Sequence, residues 1–503
     1  MIPGRAARDP RALALDDGVR QRSWAELELR SRRLARLLRG ELGLGPGDHA
    51  AVLMGNRGEV IELLLAAIHA GVWLTPVNRH LLPEEIEYVI ADSGAKVLFV
   101  DEAHEEAGRR SPAPTLVRAG AELEAALAAA SDAPLPLDGP PGANMIYTSG
   151  TTGRPKGVLR ARQASVAEQL ASLGEQGRAV GLDGSGPHLV TGPLYHAAPL
   201  MFAVYDLMNG APLLVMPRWD ERLALRLLQE RRVAHTHLVP TMFVRLLRLP
   251  EPERRAFDPS FLRLVLHGAA PIARGVKERM LDWWGPVLTE YWGGTESGVV
   301  TWIGAQEWLA HAGSVGRALP HYEVFAGDAA RRPLPPGEEG ELFCRHRSLA
   351  QVFRYHGDAA KTAAAHPEPH LLSLGDLGRV DAQGFVFLTD RRSHTIISGG
   401  VNIYPVEIEQ VLEQHPAVAD VGVFGIPDDE WGESVKAAVE LRPGRAPSPE
   451  LERELLAFAR RHLAGYKVPR SIDFEERLPR EASGKLTLRR LRDRYWQGRA
   501  RRI

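Results

Sequence analysis

Tyr147-Thr148-Ser149-Gly150-Thr151-Thr152-Gly153-Arg154-Pro155-Lys156-Gly157-Val158 is the stretch from which the rest of the chain can be read. Hydroxyl and glycine residues run unbroken from Thr148 to Gly153, and a lysine follows at 156. Glycines let backbone N–H groups converge on an anion without Cβ obstruction. The hydroxyls add donors, and Lys156 adds a mobile positive charge. That is the equipment a polyphosphate needs. Met145-Ile146-Tyr147 predicts a short strand leading in. The G-x-x-x-x-G-K-[ST] spacing is missing, so this is not a Walker A loop.

Working outward, 503 residues exceed one hydrophobic core and predict at least two domains. A net charge of -1 gives no electrostatic argument for nucleic acid. One cysteine, Cys344, excludes an internal disulfide framework and fits a reducing, cytoplasmic setting. No basic-then-apolar leader opens the chain, so secretion is not expected. The longest apolar stretch, Ile61 to Val77, is interrupted by Glu62, His69 and Pro76, which predicts a buried helix and strand rather than a membrane span.

Ser23 with Glu26 three residues on is a capping-box pattern ahead of a helix carrying Trp24, Leu27, Leu34 and Leu37-Leu38. Strands are expected at Ala50–Met54, Val72–Thr75 and Val97–Val100, with helices between them. Such alternation predicts an α/β fold with a largely parallel sheet covered on both faces. His237 to Phe243 predicts a strand turning into a helix that ends near Leu249. Leu264–Leu266 predicts a strand ending in His267-Gly268-Ala269-Ala270-Pro271, whose small residues let a flat ring approach the backbone.

Further stretches follow in order: Pro193-Leu194-Tyr195-His196, Glu290-Tyr291-Trp292-Gly293-Gly294-Thr295-Glu296, Leu374-Gly375-Asp376-Leu377-Gly378 and Thr389-Asp390-Arg391. Then come Ile396-Ile397-Ser398-Gly399-Gly400-Val401-Asn402-Ile403-Tyr404-Pro405, Pro427-Asp428-Asp429-Glu430-Trp431-Gly432-Glu433, Tyr466-Lys467-Val468-Pro469 and Ser483-Gly484-Lys485. With the loop at 147–158, this series resembles the motifs of the adenylate-forming superfamily, in texture most like bacterial fatty-acyl and bile-acid-type CoA ligases.

The resemblance implies a large N-terminal domain of helix-covered β-sheets, residues 1–392, and a small mobile α+β C-terminal lid, residues 393–503. It implies an ATP-dependent carboxylic acid–coenzyme A ligase working through an acyl-adenylate. ATP would be held by Thr148, Ser149, Gly150, Thr151, Thr152 and Lys156 at its phosphates. Gly268, Ala269, Ala270 and Trp292 would hold adenine, and Asp376 and Arg391 the ribose. Thr295 would touch the α-phosphate and Glu296 would bind Mg²⁺. His196 would line and gate the acyl pocket, with Met201, Met242 and Val299 as further pocket candidates. Lys485 would be the catalytic lysine and Ser393 the hinge. Gly399, Gly400, Trp431 and Lys467 would stand on the coenzyme A side.

Four positions depart from the family pattern: Trp292 for tyrosine, Leu374 for threonine, Ser393 for Asp or Lys, and His394 for an acid. Two other readings stand beside the ligase: an amide-forming relative that gives the same adenylate to an amine, and a degenerate nucleotide-binding protein. The expected partners are a small carboxylic acid, ATP and an acceptor, with no nucleic acid and no transmembrane segment, in a monomer or homodimer.

Overall fold

The computed structural model describes residues 9–148, 154–269, 272, 274–391, 396–403, 405–479 and 488–497. The helix Trp24–Arg39 begins as its capping box requires: Glu26 N donates to Ser23 Oγ at 3.3 Å, and Ser23 N donates to Glu26 Oε2 at 2.7 Å. Its buried face carries Trp24, Leu27, Leu34, Leu37 and Leu38. Packed on it is the helix Gly58–Ala70, in which every residue is buried. That accounts for the apolar run through residue 77, since the strand Trp73–Pro76 that follows is buried as well. Glu62 survives inside this helix because Arg30 reaches it at 2.8 Å and Arg22 at 3.3 Å.

Around these helices a five-stranded, all-parallel sheet runs in the order Thr115–Arg118, Ala95–Val100, His49–Leu53, Trp73–Pro76, Ala143–Asn144. A larger sheet of thirteen strands is parallel only in part. Leu13–Asp16, Leu213–Val215, His188–Val190, His235–Leu238, Leu264–His267 and Leu288–Gly294 form its parallel portion. From the hairpin of Leu288–Gly294 with Gly298–Gly304 onward the pairing is antiparallel, through Gly316–Ala318, Phe385–Arg391, Leu371–Val380, Gly340–His346 and Tyr322–Gly327. The expected parallel sheet is therefore joined to an antiparallel one.

A third sheet, antiparallel, sets the strands Ile146–Thr148 and Lys156–Arg160 side by side with Thr148 opposite Lys156. Phe353–Tyr355 completes it. The expected helix after 239 is Pro240–Leu247, two residues shorter than its apolar pattern.

The C-terminal part folds on a core of its own. Its sheet runs Val401–Ile403, Ile396–Ser398, Gly432–Leu441, Val418–Asp428, and Ser471–Glu475 pairs in parallel with Gly432–Leu441. Ile396, Ile408, Leu412, Val423, Val439 and Leu455 are buried together beneath helices Pro405–Leu412 and Pro449–His462. No described helix is long and apolar enough to cross a membrane.

Candidate active site

The parallel strands of the large sheet end together, and a cavity of about 860 Å³ opens above them. Val239, Ala269, Gly192 and Gly294 reach it from four strand ends, where open α/β sheets collect ligands. Ala269 holds φ at +64°, a left-handed backbone unusual for a residue with a Cβ. Its neighbour Gly268 faces the Tyr291 ring instead: a Cβ there would lie 2.7 Å from it. That small residue admits a tyrosine of the protein itself.

The hairpin after Leu288 delivers Trp292, Thr295 and Glu296 to the cavity wall. Trp292 donates its indole N–H to Asp376 Oδ2 at 2.9 Å, and Asp376 is 4% exposed. Arg391 is the strand partner of Asp376. One Glu296 oxygen accepts from the Tyr355 hydroxyl at 3.0 Å.

Beside that pair stands a cation that the sequence reading passed over. Lys361 lines the cavity with its ammonium 4.2 Å above the Tyr355 ring, and burial pushes its pKa down although Glu296 and Asp358 pull it up. Lys156 pairs at 3.8 Å with Asp358, which also caps the helix carrying Lys361. Two lysines, two carboxylates and a tyrosine thus converge at the mouth of the 148–156 hairpin. Among the described residues no cluster of three or more His, Cys, Asp or Glu could hold a metal by itself. A hard cation here would lean on Glu296 and on the oxygens of a bound phosphate, as Mg²⁺ commonly does.

The deeper end is apolar and aromatic. His196 precedes the helix Ala197–Met208 and lines the cavity with Met201, Met242 and Val299. Burial pushes the His196 imidazole down to about 4, so it is neutral at ordinary pH. His237 Nε2 and the Tyr291 hydroxyl lie 3.0 Å apart in the same wall, and burial likewise holds His237 at about 3.

The fourth wall comes from the C-terminal part. Gly399 and Gly400 make the tight turn between Ile396–Ser398 and Val401–Ile403, at φ of +60° and +79°. A Cβ on Gly399 would strike the Trp431 indole at 2.6 Å, and one on Gly400 would sit 3.2 Å from Val239. Arg245 stacks over Trp431 at 4.7 Å and reaches Glu430 at 3.0 Å. Lys467, 1% exposed, donates at 2.7 Å both to Glu85 of the N-terminal part and to Glu407. Its ammonium joins the two parts of the chain, at the cavity wall where the coenzyme contact was expected of it.

Thr148, Ala269, Trp292, Thr295, Glu296, Asp376, His196, Gly399, Gly400, Trp431 and Lys467 thus share one cavity. Lys156 stands behind it and Gly268 beneath. Ser149, Gly150, Thr151, Thr152, Ala270, Ser393, His394 and Lys485 lie outside the described residues, as does the side chain of Arg391.

Comparison with known proteins bears on this geometry. The family model described as AMP-binding enzyme matches residues 3–354, and AMP-binding enzyme C-terminal domain matches 407–485. A feruloyl-CoA synthase from Amycolatopsis is 35% identical over 494 residues, covering 98% of this chain and 97% of that protein. The o-succinylbenzoate CoA synthetase of Bacillus subtilis bound with its product analogue OSB-NCoA superposes with a TM-score of 0.83 at 29% identity, over 98% of both chains. The same enzyme with the acyl-adenylate OSB-AMP gives 0.67 at 28% identity, over 97% of this chain and 96% of that one. The amide bond synthetase of Marinactinospora thermotolerans gives 0.83 at 28% identity, over 96% and 97%.

Proposed function

This chain belongs to the AMP-binding enzyme family, and from that premise we propose that it is an ATP-dependent carboxylic acid–coenzyme A ligase working through an acyl-adenylate. The observation that carries the reading is one cavity walled by both parts of the chain. Lys361 and Glu296 stand at one side, an apolar aromatic end lies below, and the 399–400 turn closes the top.

A carboxylate is a poor electrophile and needs a better leaving group. Its oxygen attacks the α-phosphorus of ATP, and the bond to pyrophosphate breaks. Lys361, with Lys156 behind it, would meet the β- and γ-phosphates, and preorganised positive charge of this kind lowers the barrier to phosphoryl chemistry. Glu296 would hold Mg²⁺, which when bound neutralises phosphate charge. Asp376, held by Trp292, is assigned to the ribose. Lys485 is assigned to the attacking carboxylate and the α-phosphate. In the second step the thiol sulfur attacks the acyl carbon, and the acyl–phosphate bond breaks to release AMP.

We assign residues 1–392 to the N-terminal domain and 393–503 to a lid turning about Ser393. The better superposition on the product-analogue complex than on the adenylate complex of one relative supports reading this arrangement as the one for thioester formation. The amide-forming reading stays open because an amide bond synthetase superposes equally well. The buried thiol of Cys344 suits a cytoplasmic enzyme and takes no part in the reaction.

The test is ATP–pyrophosphate exchange over a panel of fatty, aromatic and steroid acids, followed by assay for thioester with coenzyme A and amide with amines. Adenylate that never becomes a thioester would overturn the ligase reading in favour of the amide.

A further inference from the structure

Arg160 places a guanidinium in the wall of the cavity with no counter-ion among the described residues. It ends the strand Lys156–Arg160 and lines the cavity with Met201, Tyr205, Gly298 and Val299. Its terminal nitrogen donates only a long bond, 3.4 Å, to the Ser297 carbonyl, which already accepts from the Tyr322 hydroxyl at 2.9 Å. Its Nε is buried and without a partner. No ion pair joins Arg160 to any described carboxylate. The titratable groups it faces, His321, Tyr322 and His346, bring no negative charge: burial lowers the two histidines and raises the tyrosine, and Arg160 adds a smaller downward push to each.

The site is built to keep this head group in place. Gly298 stands at φ +70°, and a Cβ there would lie 2.8 Å from an Arg160 terminal nitrogen. A side chain at 298 would displace the guanidinium, so the backbone itself makes room for it. Leaving a partly buried cation unpaired is costly unless something arrives to pair with it.

We propose that Arg160 binds a second carboxylate on the acid substrate, which makes the preferred substrate a dicarboxylic acid with one carboxylate adenylated and the other held at Arg160. The assignment rests on the ligase reading. A planar guanidinium takes a carboxylate through two parallel N–H···O bonds. Met201 and Val299, apolar residues of the same cavity wall, suit a hydrocarbon spacer.

The experiment compares dicarboxylic acids with their half methyl esters in ATP–pyrophosphate exchange, using wild type, Arg160→Leu and Arg160→Lys. Wild type should favour the diacid by roughly tenfold to a hundredfold in kcat/KM. Arg160→Leu should abolish that preference with KM for ATP unchanged, and Arg160→Lys should keep part of it. Wild type that adenylates acids but treats diacid and half ester alike overturns the proposal alone, whether or not Arg160→Leu folds. A rise in KM for ATP larger than that for the diacid in Arg160→Leu also overturns it, giving the guanidinium to the nucleotide phosphates. Wild type that adenylates no acid overturns the ligase reading and this proposal with it.

Discussion

The indole N–H of Trp292 ends 2.9 Å from Oδ2 of Asp376, so one of the two oxygens expected to take the ribose hydroxyls is already occupied by the protein. The two residues are 84 positions apart. Trp292→Phe keeps the ring and deletes the donor, leaving a buried carboxylate oxygen short of a partner at about 1–3 kcal/mol. KM for ATP should rise about tenfold, with a smaller change in kcat. An unchanged KM would mean that Asp376 is positioned without Trp292.

Lys361→Ala should weaken MgATP by about tenfold and slow pyrophosphate release, while transfer from supplied acyl-AMP stays near wild type. The basis is the ammonium 4.2 Å above Tyr355, whose hydroxyl holds Glu296. Lys361→Arg should retain most of the activity. Equal damage to both half-reactions would refute a role confined to the phosphates.

Trp431→Ala removes the shelf on which the Gly399 turn rests and the partner of Arg245. Thioester formation should fall by about tenfold or more, against a few-fold for adenylate formation, since a cation–π pair and the packed turn are lost together. Hydroxamate trapping of the adenylate separates the steps. Gly400→Leu is the poorer probe: at φ +79° any side chain costs about 1–2 kcal/mol, so it would harm both steps through stability.

Burial pushes the Glu407 carboxyl up from 4.5 to about 7, with Lys467 opposing and Glu85 adding to the push. A carboxyl raised in the fold keeps a proton that the unfolded chain has lost. Stability therefore declines as pH rises from about 4.5 to about 7 and levels off above that. Glu407→Gln should flatten the Tm profile across this window relative to wild type. Parallel profiles by thermal denaturation would show that the carboxylates are compensated elsewhere.

Local signals in the sequence carried far. Ser23 and Glu26 form the capping box their spacing predicts, and the apolar run from Ile61 to Val77 is the buried helix followed by a strand that was expected of it. His196, Met201, Met242 and Val299 all reach the cavity. What escaped were pairings set by the tertiary fold. Lys467 meets Glu85 across 382 positions, and Trp292 meets Asp376 across two antiparallel hairpins. Lys361 was hidden because its segment, Asp358 to Ala365, reads as an ordinary alanine-rich helix. The cation reaches the cavity beside Tyr355, whose strand Phe353–Tyr355 docks on the strand Lys156–Arg160.

The helix Gly58–Ala70, buried on every side, bears on how the chain is made. Leu63, Leu64 and Ile68 share their core with Leu173, Leu200 and Phe202, which a ribosome adds more than a hundred residues later. Until those partners emerge, the growing chain displays an apolar helix covered on only some of its sides, the kind of surface that aggregates or recruits chaperones. Slowing synthesis, by lower temperature or weaker promoters, should raise the yield of folded protein by lowering the concentration of such nascent chains.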